Sequence, residues 1–248
     1  EFILRDASAK VLVVHDDILN ELGTDIVPDN VQIIIVKTSP FIGEWYGVDA
    51  SNLALPAGAL AWETWSDSHS PWTESPPFVT ESIIYTSGTT GQPKGVRRQR
   101  STPEQMQAMM EGLAAPMGLA PGMRTVIPAP LYHTVPNVCS GAALQLGAFM
   151  VLMPRFDAEE LLRLIESYKL SHFQMVPTMF VRLLQLPDDV RAKYDTSSIQ
   201  CVTHSAAPCA PEVKRAMIDW WGPVINESYG ATELGFLTLA TSEDFLKY

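Results

Sequence analysis

The sequence predicts an α/β fold, with mostly parallel sheets sandwiched by helices. Short apolar runs such as Val11–Val14 and Val31–Val36 alternate with helical patterns, and strands that are apolar on both faces are typical of parallel sheets covered on both sides. The 248 residues are 46% hydrophobic and 18% charged, which excludes a disordered chain. A chain of this length can bury most of its unfolded surface without the help of disulfides.

The first third of the chain predicts two buried strands, Val11–Val14 and Val31–Val36. A helix ends at Ser8, and a short helix at Asp16–Leu22 separates the two strands. The segment Lys37–Pro77 is rich in proline and tryptophan, which favours a surface excursion with one short helix near Leu60–Trp65.

The remainder of the chain continues the alternation of strands and helices. Asp157 is a good helix N-cap followed by two glutamates, and Pro211 suits the first turn of a helix. The predicted strands are Ser82–Thr86, Thr125–Ile127, Phe149–Leu152, Phe173–Val176, Ile199–Thr203 and Val224–Glu227. The predicted helices are Pro103–Ala115, Val138–Leu146, Asp157–Tyr168, Thr178–Gln185 and Pro211–Trp220.

The net charge of −11 argues against a nucleic-acid partner, because phosphate neutralisation needs clustered lysine and arginine. The three cysteines, Cys139, Cys201 and Cys209, lack the C-x-x-C spacing of zinc sites, so we expect a reducing, cytoplasmic environment. No signal peptide is apparent at the first residues. The apolar stretch Val138–Met153 is shorter than the roughly 20 residues of a membrane span, so we expect no transmembrane segment. The sequence is compatible with a homodimer.

The segment Tyr85–Val96 reads Y-T-S-G-T-T-G-Q-P-K-G-V and follows an apolar strand. Its glycines let backbone N–H groups turn towards an anion, and Lys94 adds a point charge suited to phosphate oxygens. The segment therefore predicts a polyphosphate cradle at the carboxyl end of a strand. It is not a Walker A loop, because Pro93 precedes the lysine. On composition alone, an ordinary flexible turn is an equal alternative.

As a string, this segment resembles in full the signature Y-T-S-G-T-T-G-x-P-K-G-V of the AMP-forming adenylating superfamily. That superfamily contains acyl-CoA synthetases, luciferases and peptide adenylation domains. Tyr229–Glu233 resembles its second signature, Y-G-x-T-E. The resemblance is closest to acyl-CoA synthetases and implies their N-terminal domain, truncated at both ends. Residues 1–248 would then be the middle part of that large domain, with 37–77 as the excursion and the C-terminal lid absent.

The resemblance implies a nucleotide site built from both signatures. In the family, the tyrosine of Y-G-x-T-E packs on adenine, the threonine contacts the α-phosphate and the glutamate helps to hold Mg²⁺, which assigns these roles to Tyr229, Thr232 and Glu233. The residues implied to bind ATP or AMP are Thr86, Ser87, Gly88, Thr89, Thr90, Gly91, Lys94, Ser205, Ala206, Ala207, Pro208, Glu227, Ser228, Tyr229, Gly230, Ala231 and Thr232. Catalytic roles are implied for Thr86, Lys94, His133 and Glu233, with Glu233 as the metal ligand.

Two further segments resemble the family around its acyl pocket. Ser205–Pro208 resembles a G-A-A-P turn, with serine where glycine is usual, and Pro130–Thr134 resembles the P-L-[FY]-H segment whose histidine lies at the substrate carboxylate. The pocket residues implied are His133, Val138, Ala142, Met175, Val176, Ser205 and Gly230. Core packing is the alternative for each of them singly. Because 129–137 contains no aspartate, a plain organic acid is favoured over an amino acid.

The implied function is ATP-dependent activation of a fatty or aromatic carboxylic acid. The acid would become an acyl-adenylate with release of pyrophosphate, and would then pass to coenzyme A as a thioester. The ligands would be the acid, ATP, Mg²⁺ and coenzyme A, and the fragment alone is expected to be inactive. The alternatives are an amino-acid adenylation domain of a peptide synthetase and a non-catalytic nucleotide-binding fragment.

Overall fold

The computed structural model describes residues 1–49, 54–71, 73–74, 82–87, 91–97, 102–114 and 118–247. The chain divides into two compact units, Glu1–Gly95 and Val96–Tyr248. Both units combine helices with parallel strands, which confirms the α/β class. Among the described residues, no helix has the length and apolarity needed to cross a membrane.

The first unit is built on a three-stranded sheet in the order β1-β2-β3, in which both pairings are parallel. A two-stranded sheet, β4-β5, follows it along the chain. The elements are α1 (Phe2–Asp6), β1 (Val11–His15), α2 (Asp16–Leu22), a 3-10 helix (Thr24–Ile26), β2 (Gln32–Val36), α3 (Pro40–Tyr46), β3 (Leu60–Ala61), α4 (Trp62–Asp67), β4 (Ile84–Thr86) and β5 (Lys94–Val96).

Strand β1 is where predicted, but the prediction that it is buried on both faces is wrong. Val11 is 47% exposed and Val13 is 51% exposed. The reason is that β1 lies at the edge of the sheet and packs only one face, where Val14 joins Leu19 and Ile35 in a small core. The segment 37–77 also supplies α3 and β3, which the sequence did not predict.

The second unit carries a four-stranded sheet in the order β11-β10-β9-β8 and a parallel pair, β6-β7. Strands β8, β9 and β10 are mutually parallel, and β11 runs antiparallel to β10. The elements are α5 (Pro103–Ala114), β6 (Arg124–Ile127), α6 (Thr134–Gln145), β7 (Phe149–Leu152), α7 (Ala158–Tyr168), β8 (His172–Met175), α8 (Pro177–Leu184), α9 (Asp188–Arg191), β9 (Cys201–His204), α10 (Pro211–Trp221), β10 (Ile225–Ala231), β11 (Gly235–Ala240) and α11 (Ser242–Lys247).

Two helix starts, those of α7 and α6, show how local chemistry compares with the prediction. Asp157 caps α7, accepting a hydrogen bond from the backbone N–H of Glu160 at 2.8 Å, as predicted. Helix α6 starts at Thr134, four residues before the predicted start. Pro136 is tolerated there because backbone N–H groups of the first helical turn have no intrahelical partner.

The main core lies between one face of the β8–β10 sheet and helices α7, α8 and α10. The buried strand residues Phe173, Val202 and Ile225 contribute to it, and each helix adds an apolar stripe, as amphipathic helices do. A second core joins β6 to α6 through Ile127 and Ala143. The other face of the β8–β10 sheet does not take part in this main core.

Candidate functional site

The first signature, except for its last residue Val96, lies in the unit Glu1–Gly95. Thr86 ends β4, Lys94 begins β5, and the Lys94 and Ser87 side chains are exposed. Gly91 has a φ of +85°, a left-handed conformation that glycine adopts at little cost. Gly88, Thr89 and Thr90 lie outside the described residues. The described part of the loop thus offers an exposed ammonium group at Lys94.

Tyr85 and Gly95 fix the two strands that flank this loop. The Tyr85 hydroxyl donates a hydrogen bond to Asp6 Oδ2 at 2.6 Å, which raises the pKa of the phenol. A Cβ on Gly95 would lie 2.9 Å from the ring carbon Cζ of Tyr85. A larger residue at position 95 would therefore have to displace the tyrosine ring.

A cavity of about 680 Å³ lies within the second unit. It opens beside the carboxyl ends of parallel strands, where α/β sheets commonly bind ligands. Its walls come from α5, the start of α6, strands β8–β10 and the turn into β11. The lining residues are Gly112, Ala129, His133, Thr134, Val135, Pro136, Val138, Gln174, Val176, Ser205, Ala206, Ser228, Gly230, Ala231, Thr232, Leu234, Gly235 and Phe236.

The start of α6 and the turn after β10 meet at this cavity. The hydroxyl oxygens of Thr134 and Thr232 are 3.0 Å apart and share a hydrogen bond. His133 is the N-cap residue of α6 and is exposed, with its ring 4.5 Å from the ring of Tyr132. An imidazole and two hydroxyl groups therefore lie on one side of the cavity.

The sheet presents different chemistry on its two faces. Gln174, Thr203 and Asn226 form one cross-strand row, and Met175, His204 and Glu227 form the next. Because successive side chains of a strand point to opposite faces, the two rows lie on opposite sides of the sheet. Gln174 of the polar row lines the cavity, and so do Ser205 and Ser228, which lie two residues beyond Thr203 and Asn226 on the same face.

The opposite face holds a buried charged cluster. Lys214 of α10 is 1% exposed and donates to Glu227 Oε2 at 2.9 Å, and His204 Nε2 lies 3.7 Å from the same oxygen. His204 is fully buried, and desolvation lowers its pKa from the usual 6.5 to about 4. The imidazole is therefore neutral at physiological pH, and the ammonium and the carboxylate form the ion pair.

Backbone geometry shapes the cavity at two positions. Ala206 has a φ of +75°, which costs a non-glycine residue about 1–2 kcal/mol. A Cβ on Gly230 would lie 2.2 Å from the carbonyl oxygen of Gly235. The β10–β11 pairing shifts register between Tyr229 and Gly230, and the Tyr229 side chain is 67% exposed, so its ring is available for stacking on a ligand.

A model of the AMP-binding enzyme family matches residues 1–247. The chain belongs to this AMP-binding enzyme family. The two signatures and the strand-end cavity described above are thus features of an AMP-binding enzyme.

Curated relatives match a little over 60% of the chain. A probable CoA ligase of Humulus lupulus is 32% identical over 157 residues, which cover 62% of this chain and 28% of the relative. A mitochondrial medium-chain acyl-CoA ligase of Danio rerio is 34% identical over 157 residues, covering 61% of this chain and 25% of the relative. The chain therefore matches only a quarter to a third of the length of these relatives.

Solved structures share the fold over almost the whole chain. An amide bond synthetase from Marinactinospora thermotolerans aligns with a TM-score of 0.71 at 19% identity, covering 98% of this chain and 44% of the other. A Brucella canis acyl-CoA synthetase aligns with a TM-score of 0.69 at 23% identity, covering 96% of this chain and 41% of the other. These likenesses support the acyl-CoA synthetase-like N-terminal fold that the sequence predicted.

Many of the residues predicted for this AMP-binding enzyme come together at the cavity. They are His133, Val138, Val176, Ser205, Ala206, Ser228, Gly230, Ala231 and Thr232. Ala142 and Met175, predicted as pocket walls, are instead packed in the two cores. Glu227, predicted at the nucleotide, points its carboxylate to Lys214. Met175 and Glu227 lie on the core face because of the strand register.

Several cavity residues were missed by sequence reasoning. Gln174, Thr134 and Phe236 line the cavity but were not predicted. Gln174 had a readable signal, because a glutamine inside an otherwise apolar strand needs a polar partner. Phe236 had none, because β11 is brought to the cavity only by its pairing with β10.

Glu233 is the predicted metal ligand of the AMP-binding enzyme. It is exposed in the turn between β10 and β11. Among the described residues, no cluster of three or more histidine, cysteine or acidic side chains could hold a metal by itself. A single exposed carboxylate nevertheless fits Mg²⁺, which usually takes one or two carboxylates and completes its coordination with water and substrate phosphates.

Proposed function

We propose that the protein to which this chain belongs activates a carboxylic acid with ATP and transfers the acyl group to coenzyme A. The observation that carries the proposal is the cavity at the carboxyl ends of β8–β10, in a chain of the AMP-binding enzyme family. An imidazole and a pair of hydroxyl groups meet on one side of it, and apolar side chains form much of the remaining wall.

The chemistry overcomes the low reactivity of a carboxylate, whose negative charge resists nucleophilic attack. A carboxylate oxygen attacks the α-phosphorus of ATP, the bond to the bridging oxygen breaks, and pyrophosphate leaves. The thiolate of coenzyme A then attacks the acyl carbon, and AMP leaves with the electron pair of the broken C–O bond. The protein contributes positioning and charge stabilisation to both steps.

The chain's own residues divide this work. Thr232 donates its hydroxyl to the α-phosphate, and His133 orients the carboxylate of the acid at the start of α6. Tyr229 stacks its exposed ring on the purine. Lys94 and the backbone N–H groups of its loop bind the β- and γ-phosphates. Glu233 would hold Mg²⁺, which supplies positive charge to the departing pyrophosphate.

The walls of the cavity favour an apolar acid. Val135, Val138 and Val176 line it together with Leu234 and Phe236, and an apolar body gains free energy by leaving water for such a wall. Curated relatives are named as ligases for medium-chain and aromatic acids, which supports a fatty or aromatic substrate for this chain.

Pyrophosphate release by the full-length protein tests the proposal. Fatty, aromatic and amino acids are each supplied with ATP and Mg²⁺, and thioester formation is followed by mass spectrometry after addition of coenzyme A. We expect release with a fatty or aromatic acid and a thioester product. Release that depends on amino acids would make the protein a peptide-type adenylation domain. ATP binding without turnover of any acid would make it a non-catalytic nucleotide-binding protein.

A further inference from the structure

The Ser228 hydroxyl is a buried polar group that faces the cavity without a partner. The residue is 4% exposed and lines the cavity, and its Oγ atom makes no hydrogen bond to any part of the chain that the structure describes. Buried hydroxyl groups in native proteins are almost always hydrogen-bonded. An unpartnered one in a cavity wall indicates that its partner belongs to the ligand.

Ser205 provides a second hydroxyl on the same face of the sheet. It is 6% exposed, and its Oγ accepts a hydrogen bond from Gln174 Nε2 at 3.0 Å. The other hydrogen of that amide nitrogen is donated to the carbonyl oxygen of Met175 at 2.7 Å. Gln174 is thereby fixed, and the proton of the Ser205 hydroxyl is left to donate elsewhere.

The strand register brings the two serines side by side. Glu227 of β10 pairs with His204 of β9. Ser228 follows Glu227 directly, and Ser205 follows His204 directly. They therefore share the cavity face at the ends of neighbouring strands, which lie about 4.8 Å apart. One ligand oxygen placed between them would accept a hydrogen bond from each.

We propose that the acid recognised by this cavity carries an oxygen function besides its carboxylate, as a hydroxyl, ether or carbonyl group, and that Ser228 and Ser205 donate hydrogen bonds to it. The inference rests on the proposed function and names its substrate class. The apolar walls accommodate the body of the acid, and the serine pair is a polar spot within them. A plain hydrocarbon acid would leave the Ser228 hydroxyl unpartnered and give the proton of the Ser205 hydroxyl no acceptor, which sites built to bond a polar group strongly disfavour.

Matched acids that differ by one oxygen test this inference in the full-length protein. The probes are octanoic and ω-hydroxyoctanoic acid, and phenylpropanoic acid with its ring-hydroxylated derivatives. We expect at least one oxygenated acid to have a kcat/KM for pyrophosphate release about 10-fold above its plain partner, the range that one or two neutral hydrogen bonds supply. Ser228→Ala should reduce this ratio to near one. Ser198→Ala, whose hydroxyl bonds to Leu170 on another part of the unit, should preserve it.

Failure of the oxygen preference and failure of the ligase activity give different results. Equal use of both partners, or a preference for the plain acids, overturns the inference while the ligase activity stands. A Ser228→Ala variant that loses ATP affinity but keeps its acid preference assigns the hydroxyl to the nucleotide and also overturns it. If no acid releases pyrophosphate, the proposed function fails, and calorimetric titration with the same acid pairs still measures the preference. Ser228→Ala should not lower the melting temperature, because no protein hydrogen bond is lost.

Discussion

Glu227→Ala should destabilise the protein far more than Lys214→Met, although both variants remove the same ion pair. The asymmetry comes from burial. The Lys214 side chain is 1% exposed, whereas that of Glu227 is 38% exposed. Removing the carboxylate leaves a buried ammonium without a counter-charge, beside a neutral imidazole at His204 and the ring of Phe245. Removing the ammonium leaves a carboxylate that water already reaches.

The magnitude follows from these exposures. Stranding a buried charge costs about 3–5 kcal/mol, and the partial solvent access of Glu227 places the expected loss near 3 kcal/mol, at the lower end of that range. Lys214→Met replaces the ammonium with an apolar group of similar length and leaves a carboxylate that water reaches, so the expected loss is at most about 1 kcal/mol, the value of an exposed pair. The double variant should resemble Lys214→Met, because neither charge remains.

Urea unfolding at neutral pH, followed by circular dichroism, measures the free energy of unfolding for all four proteins of the cycle. Asp195→Ala is the control, because it breaks an ion pair to Lys169 whose side chains are 46% and 57% exposed, and exposed pairs contribute little. The reasoning is refuted if Lys214→Met is as unstable as Glu227→Ala. It is also refuted if the double variant fails to recover stability.

Four further predictions concern stability and activity. The free energy of unfolding should fall as the pH is lowered from about 6.5 towards 4, because the unfolded state protonates His204 while the folded state keeps it neutral. His204→Leu should flatten this dependence of stability on pH, and an unchanged dependence would show that His204 is not its source. Asp157→Ala should cost about 1 kcal/mol of stability in the same urea assay by removing the cap of α7, and no change would mean that the cap contributes nothing. Lys94→Ala should slow pyrophosphate release by roughly 100-fold, the effect of losing one preorganised charge, and an unchanged rate would argue against the phosphate loop. His133→Ala should lower kcat/KM for the acid while leaving ATP affinity in equilibrium titration intact; equal losses in both would make His133 a structural residue.

Local pattern predicted the elements that local chemistry determines. Strand β7 has the predicted bounds, Phe149–Leu152, because it lies within the apolar run Ala148–Met153, which is bounded by Gly147 and Pro154. The cap of α7 was likewise readable from Asp157 and the glutamates after it. The first signature was recognised as a string, and its strand β4 was found within two residues.

Features that depend on the pairing of distant strands could not be predicted from the sequence. Strand β11 was missed because its place beside β10 depends on an antiparallel turn at Thr232–Leu234, and because its residues are exposed or half-buried and lack the signal of a buried strand. Met175 was predicted in the pocket and lies in the core, since a strand's sequence does not state which of its two faces meets the helices. Which side chains of β8 face the helices is fixed only by its pairing with β9.

The glycine of the second signature has a consequence for how variants of this site are interpreted. The carbonyl oxygen of Gly235 occupies the space that any side chain at Gly230 would need, so the hairpin excludes all other amino acids before a ligand arrives. Loss of activity in a Gly230 variant would therefore result from displacement of β11 and Phe236, not from a lost contact with nucleotide or acid. Libraries that aim to change substrate choice should keep Gly230 constant and vary Ser205, Ser228 and Val176, which line the cavity.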